Sequence, residues 1–78
     1  MLIQLYNNDF IATDMITSFA TIADDDQDYA VRINVIGGND YVISGENRGG
    51  NETIIEAKNK VEFIKNIVNK RELQIIKI

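Results

Sequence analysis

The chain has 78 residues, 45% of them hydrophobic and 26% charged, with a formal net charge of −4. That length gives one domain, residues 1–78, with a single small core, and the composition is that of a folding globular chain rather than a disordered one. With neither Cys nor His in the sequence, disulfides, thiolate metal sites, thiol nucleophiles and His-based acid–base chemistry are excluded.

The N-terminal "LIQLY" reads as a strand turning at Asn7-Asn8-Asp9, with a short return, "FIA". The next stretch, "FIATDMITSFATIA", fits two patterns. Met15, Phe19, Ile22 and Ala23 fall on one face of a helix, whereas the Thr, Ser and β-branched residues favour strands because they lose rotamer freedom or compete for backbone bonds in a helix. The strand reading places a tight turn over residues 13–16 and a strand over "SFATIAD". The lack of a basic region and apolar run at the N-terminus, and of any apolar run of about 18 residues, points to a cytoplasmic protein without a membrane.

"IADDDQDYAV" carries Asp24, Asp25, Asp26 and Asp28. D-x-D-x-D is the first half of a calcium loop, but the position that needs glycine is Tyr29 and the one that needs a bidentate acid is Val35. Two readings stay open: a polar turn between strands, and an acidic docking surface. No metal and no cofactor is expected.

"YAVRINVI" alternates, with Tyr29, Val31, Ile33 and Val35 on one face, and its hairpin partner is "DYVIS". A three-residue loop, Gly37-Gly38-Asn39, would set Val35 opposite Tyr41 and Ile33 opposite Ile43, with both apolar sets on one side. "GENRGGN", residues 45–51, reads as a loop. Neither Gly37-Gly38 nor Gly49-Gly50 is followed by the Lys-Ser/Thr of a phosphate loop, and Glu52 and Glu56 would repel a phosphate at the helix that follows.

That helix is expected over about 53–70. Ile54, Ala57, Val61, Ile64 and Val68 recur at helical spacing, Ile67 widens the face, Thr53 with Glu56 forms a capping box, and Glu56 to Lys60 is a favourable pair. Phe63 lies off the stripe, with Ile55 and Asn59 nearby, and reads as exposed or as cover for a later strand. "ELQIIKI" reads as a C-terminal edge strand with Lys77 as a guard. The expected architecture is α+β: an antiparallel sheet of four to five strands with one amphipathic helix packed on it and a short C-terminal strand. Its expected core is Leu5, Phe10, Phe19, Ile22, Val31, Ile33, Val35, Tyr41, Ile43, Ile54, Val61, Ile64 and Val68.

Charge is divided along the chain. Residues 1–57 carry ten acids and two bases, and residues 58–78 six bases and two acids. Lys58, Lys65, Lys70 and Arg71 offer a basic helix face, yet the acidic total argues against direct nucleic-acid binding. No spacing brings a catalytic set together, Ser44 with Lys58 included, so the expectation is a protein that is not an enzyme.

"VRINVIGGNDYVISGEN", Val31 to Asn47, resembles the hairpin region of small phage-encoded inhibitors of type II CRISPR nucleases, with an Arg-aliphatic-Asn strand, a Gly-Asn turn, an acid, Tyr-Val-Ile-Ser and a following helix. The resemblance implies a protein-binding inhibitor whose acidic surface imitates DNA and occupies the groove of a CRISPR nuclease or another nucleic-acid-binding enzyme. By their chemistry the partner-binding residues would be Asp24, Asp25, Asp26, Asp28, Asp40 and Glu46. The order of elements is also similar to small bacterial flagellar proteins of the FlbD kind. The alternative function is an assembly module that forms a homodimer or pairs with a partner through the C-terminal edge strand.

Overall fold

The computed structural model describes residues 1–5, 9–48 and 52–76, the last six as backbone only. Along the chain run β1 (Leu2–Gln4), β2 (Phe10–Ala12), a 3-10 turn (Thr13–Met15), β3 (Ile16–Asp24), β4 (Asp28–Val35), β5 (Tyr41–Glu46) and α1 (Ile54–Ile76). The class is α+β as expected, but the strands form two antiparallel sheets, a ribbon β1-β2 and a three-stranded sheet β3-β4-β5.

The ambiguous N-terminal third is strand. Its chain reverses at the expected place, where Thr13, 2% exposed, sends both its backbone N–H and its hydroxyl to the Met1 carbonyl at 2.9 and 3.2 Å. This reversal ends β2 after three residues and separates the ribbon from the larger sheet. In the ribbon Ile3 faces Ile11. Ile11 and Leu5 are buried and Ile3 packs against the same core, so the alternation turns Phe10 outward, 56% exposed, against expectation. The turn expected at Asn7-Asn8 lies outside the described residues.

On β3, the ladder to β4 shifts register between Ile16 and Ser18 and again between Thr21 and Ala23. These bulges leave Thr17 and Ile22 as extra residues; Ile22, an odd number of residues from inward Phe19, lies on the surface, 49% exposed, rather than in the expected core. Phe19, three residues before it, stays packed against the core.

The β4-β5 hairpin keeps its expected faces but not its expected register. Val31 pairs with Ile43 and Ile33 with Tyr41, two residues from the predicted pairing. Val35 pairs with Ile16 instead, and Ile36 N–H donates to the Met15 carbonyl at 2.9 Å, so the end of β4 is held from the β3 side. The loop is longer than three residues and turns through Gly37 and Gly38, at φ 97° and 99°, a region costly for residues with a Cβ.

Helix α1 starts at the expected capping box. Thr53 N–H donates to a Glu56 carboxylate oxygen and Glu56 N–H to the Thr53 hydroxyl, both at 3.2 Å. Lys60 pairs with Glu52 just before the helix. Ala57, Val61, Ile64 and Val68 are buried and Ile54 half-buried, against Val31, Ile33 and Ile43 of the sheet, with Tyr29 at its end. Ile55 and Phe63 point outward, 71% and 56% exposed. The helix does not stop near Lys70: the backbone stays helical to Ile76, so the expected C-terminal strand is absent through that residue. The β-branched Ile75 and Ile76 suggested a strand, but helix propensity differs from the best residues by only tenths of a kcal/mol, about 0.7 at most, and a helix already under way adds one bond per residue. Lys77, the expected guard, lies outside the described residues.

Gly45 is a strand residue rather than the start of a loop. It sits opposite Tyr29, where a Cβ would come within 2.4 Å of the Thr53 carbonyl oxygen and 2.9 Å of Ala57 Cβ. The first turn of the helix therefore occupies the space a side chain would fill.

Candidate functional site

The turn between β3 and β4 is built by one of its own carboxylates. Asp25 accepts N–H bonds from Gln27 and Asp28, both at 2.8 Å, and its N–H donates to the Asp28 carbonyl at 3.0 Å. This is the side-chain-closed turn that Asp favours between strands. The Gln27 and Asp28 amides hold the Asp25 carboxyl below its ordinary pKa, since a carboxylate accepting N–H bonds is stabilised in its charged form.

The end of β5 braces the turn from beside it. Asp28 stands opposite Glu46, Asn47 N–H donates to the Gln27 carbonyl at 3.2 Å, and the Asn47 side-chain amide donates to the Asp26 carbonyl. Asp24, Asp25, Asp26, Asp28 and Glu46 thus gather at one end of the three-stranded sheet, all exposed. The sixth candidate, Asp40, does not join them. It precedes β5, whose six residues separate it from Glu46 by about 20 Å.

Cations temper this end. Lys58 lies 3.6 Å from Asp24 and 5.3 Å from the centre of the Tyr29 ring, and Arg48 follows Glu46 by two residues. The Lys58–Asp24 pair is half-exposed on both sides, a setting in which ion pairs contribute about 0–1 kcal/mol. Burial first, then the charges of Asp24 and Glu62, push the Tyr29 hydroxyl above its ordinary pKa. Lys65 reaches over Phe19 at 5.6 Å, so two of the four residues expected to form a basic helix face lie back along the sheet.

Among the described residues no three acidic groups converge as metal ligands would, and no helix is long and apolar enough to cross a membrane. Ser44 lies exposed on β5.

Sequence reasoning missed a second feature at the opposite end. An open cleft of about 250 Å³ lies between the ribbon and the β4-β5 loop, its lining mixing apolar side chains such as Leu2, Phe10, Met15 and Ile36 with polar surface at Gly37 and Asn39. Phe10 was assigned to the core and Ile36 to a strand end. The signal for the cleft lay in apolar residues flanking both turns, which alternation alone cannot place.

These features define a small α+β protein with an acidic end and, opposite it, an open cleft edged by exposed apolar side chains. Comparison with known proteins finds no matching family model, no matching curated protein and no matching solved structure.

Proposed function

We propose that the protein is a non-enzymatic binding module whose acidic end docks on a basic, nucleic-acid-binding protein and competes there with phosphate. The observation that carries this reading is the convergence of Asp24, Asp25, Asp26, Asp28 and Glu46 on one braced end of the sheet. Concentrated carboxylates raise the encounter rate with a positive groove, and complementary charge fixes orientation; both effects fade with salt. A turn held by Asp25 and Asn47 presents its charges with little ordering left to do on binding.

The resemblance of residues 31–47 to small inhibitors of type II CRISPR nucleases supports a nuclease as the partner and a phage or mobile element as the source. On this reading Asp24, Asp26, Asp28 and Glu46 make the contacts, and Asp25 both contacts and shapes. Asp40, at the other end of β5, belongs to a different surface.

The test is retention of host proteins by the tagged protein at low and high salt, identified by mass spectrometry. The expected result is a basic nucleic-acid-handling enzyme, kept at low salt and lost at high salt, whose retention falls when Asp24, Asp26, Asp28 and Glu46 are changed to Asn or Gln. Retention indifferent to both salt and these substitutions refutes the reading. Leaving Asp25 intact keeps the turn closed, so a loss of binding reports charge rather than unfolding.

A further inference from the structure

The helix covers one face of the three-stranded sheet and leaves the other open. Tyr29, Val31 and Ile33 turn into the core, so the alternation of β4 puts Asp28, Ala30 and Arg32 on the opposite face. The register carries that face onto the neighbouring strands: Arg32 lies between Ala20 and Val42, Ala30 between Ala23 and Ser44, and Asp28 beside Glu46. Asp28, Arg32 and Glu46 are all exposed.

Charge on this face is sorted along the strands. Arg32 makes no ion pair among the described residues. The Asp28–Glu46 pair stands four residues away along β4, about 13 Å. Between them runs the row Ala23, Ala30 and Ser44, whose short side chains leave room for a second surface. A cation and an acidic pair at equal distances on either side of one row are self-complementary. A two-fold axis lying in the plane of contact and crossing the strands at Ala30 reverses the strand direction, and so sets Arg32 of each copy over Asp28 and Glu46 of the other.

We propose that the protein forms a homodimer by stacking this open sheet face on the same face of a second copy, with Arg32 of each held by Asp28 and Glu46 of the other. Stacked sheets lie about 10 Å apart, and the forked guanidinium suits a site with two carboxylates. Three strands and the six steps from Asp28 to Asn34 give a footprint of about 280 Å², against the roughly 800 Å² that each partner buries in a standard interface. The dimer is therefore weak, and its exposed charges make it sensitive to salt. It does not rest on the docking reading above, with which it competes for Asp28 and Glu46, and the protein alone suffices to test it.

The test is sedimentation of the full chain at low salt from about 10 μM to 1 mM, a range suited to a weak dimer. The expected result is a concentration-dependent dimer that loosens as salt is raised. Arg32→Glu in one variant, and Asp28→Lys with Glu46→Lys in another, should each weaken it by about tenfold or more, with circular dichroism unchanged because all three side chains are exposed. An equimolar mixture of the two variants should dimerise more tightly than either alone, since both like-charge clashes become attractions in the mixed pair. A wild-type chain that stays monomeric throughout, or a mixture no tighter than its components, overturns the proposal.

Discussion

Substitution of Gly45 by Ala sets two physical arguments against each other, and they differ in sign. Gly45 lies within β5, and its φ is not in the left-handed region. Local reasoning then predicts that Ala stabilises by about 0.4–1 kcal/mol through a less flexible unfolded chain. The packing predicts the reverse. A Cβ at this position would sit 2.4 Å from the Thr53 carbonyl oxygen and 2.8 Å from its carbon, where ordinary contact begins at 3.4 Å. The obstacle is backbone, so a side-chain rotation gives no relief and the start of the helix must retreat by about 1 Å. That retreat pulls on the Glu46 to Glu52 backbone bond of 3.0 Å and on the paired Thr53 and Glu56 bonds. Overpacking costs about 1–3 kcal/mol and a strained cap about 1 more, so the expected loss is about 3 kcal/mol. For a chain of this size that is a large share of a total of about 4–12 kcal/mol. Urea unfolding followed by circular dichroism measures it, with Ser44→Ala on the exposed face as the control. A Gly45→Ala protein as stable as wild type, or more so, would refute the close approach of helix and strand at this point.

Two further predictions concern local devices. The Asp25 carboxyl is held below its unfolded value of 3.8 by the Gln27 and Asp28 amides, so its contribution is present above pH 3.8 and disappears as pH falls through the lower folded value. Asp25→Ala should lower the melting temperature at pH 7 and flatten its decline below pH 4, while Asp25→Asn, which can still accept both N–H bonds, should recover much of the neutral-pH loss; equal effects of Ala and Asn would remove the turn argument. Thr53→Ala should cost about 1 kcal/mol, and combining it with Glu56→Ala should cost less than the two single losses added, because the two side chains cap each other; strict additivity in a double-mutant cycle would contradict the reciprocal box.

What could be read from the sequence was whatever rested on a single periodicity or a closed local motif. The inward set Val31, Ile33, Ile43 and the stripe Ala57, Val61, Ile64, Val68 are buried as their spacings require, and Thr53 with Glu56 caps the helix as the motif predicts. The gathering of Asp24 to Asp28 was plain from adjacency; the arrival of Glu46 beside them, and the removal of Asp40 to the other end, follow from the hairpin. Period 2 could not fix that hairpin's register, because a slip of two residues keeps every side chain on its face. Bulges at Thr17 and Ile22 were invisible for a related reason: an extra residue changes the phase without changing composition. The packing of Gly45 depends on tertiary contact and the length of α1 on the propagation of a helix already under way, and neither leaves a mark in a local window.

Strand β3 closes one edge of the three-stranded sheet, and its first eight residues, Ile16–Ala23, contain no charge, no Pro and no Gly. A segment of that composition is a template for unwanted pairing between chains, which many proteins block with an inward Lys or a proline. Here the block is geometric. The bulges at Thr17 and Ile22 confine the regular ladder to Ser18–Thr21, four residues between two local twists, too short a rail for a foreign strand to run along. The same bulges therefore limit β3 as a seed for aggregation, while its first eight residues stay uncharged and its one charge, Asp24, stands at the far end of the strand.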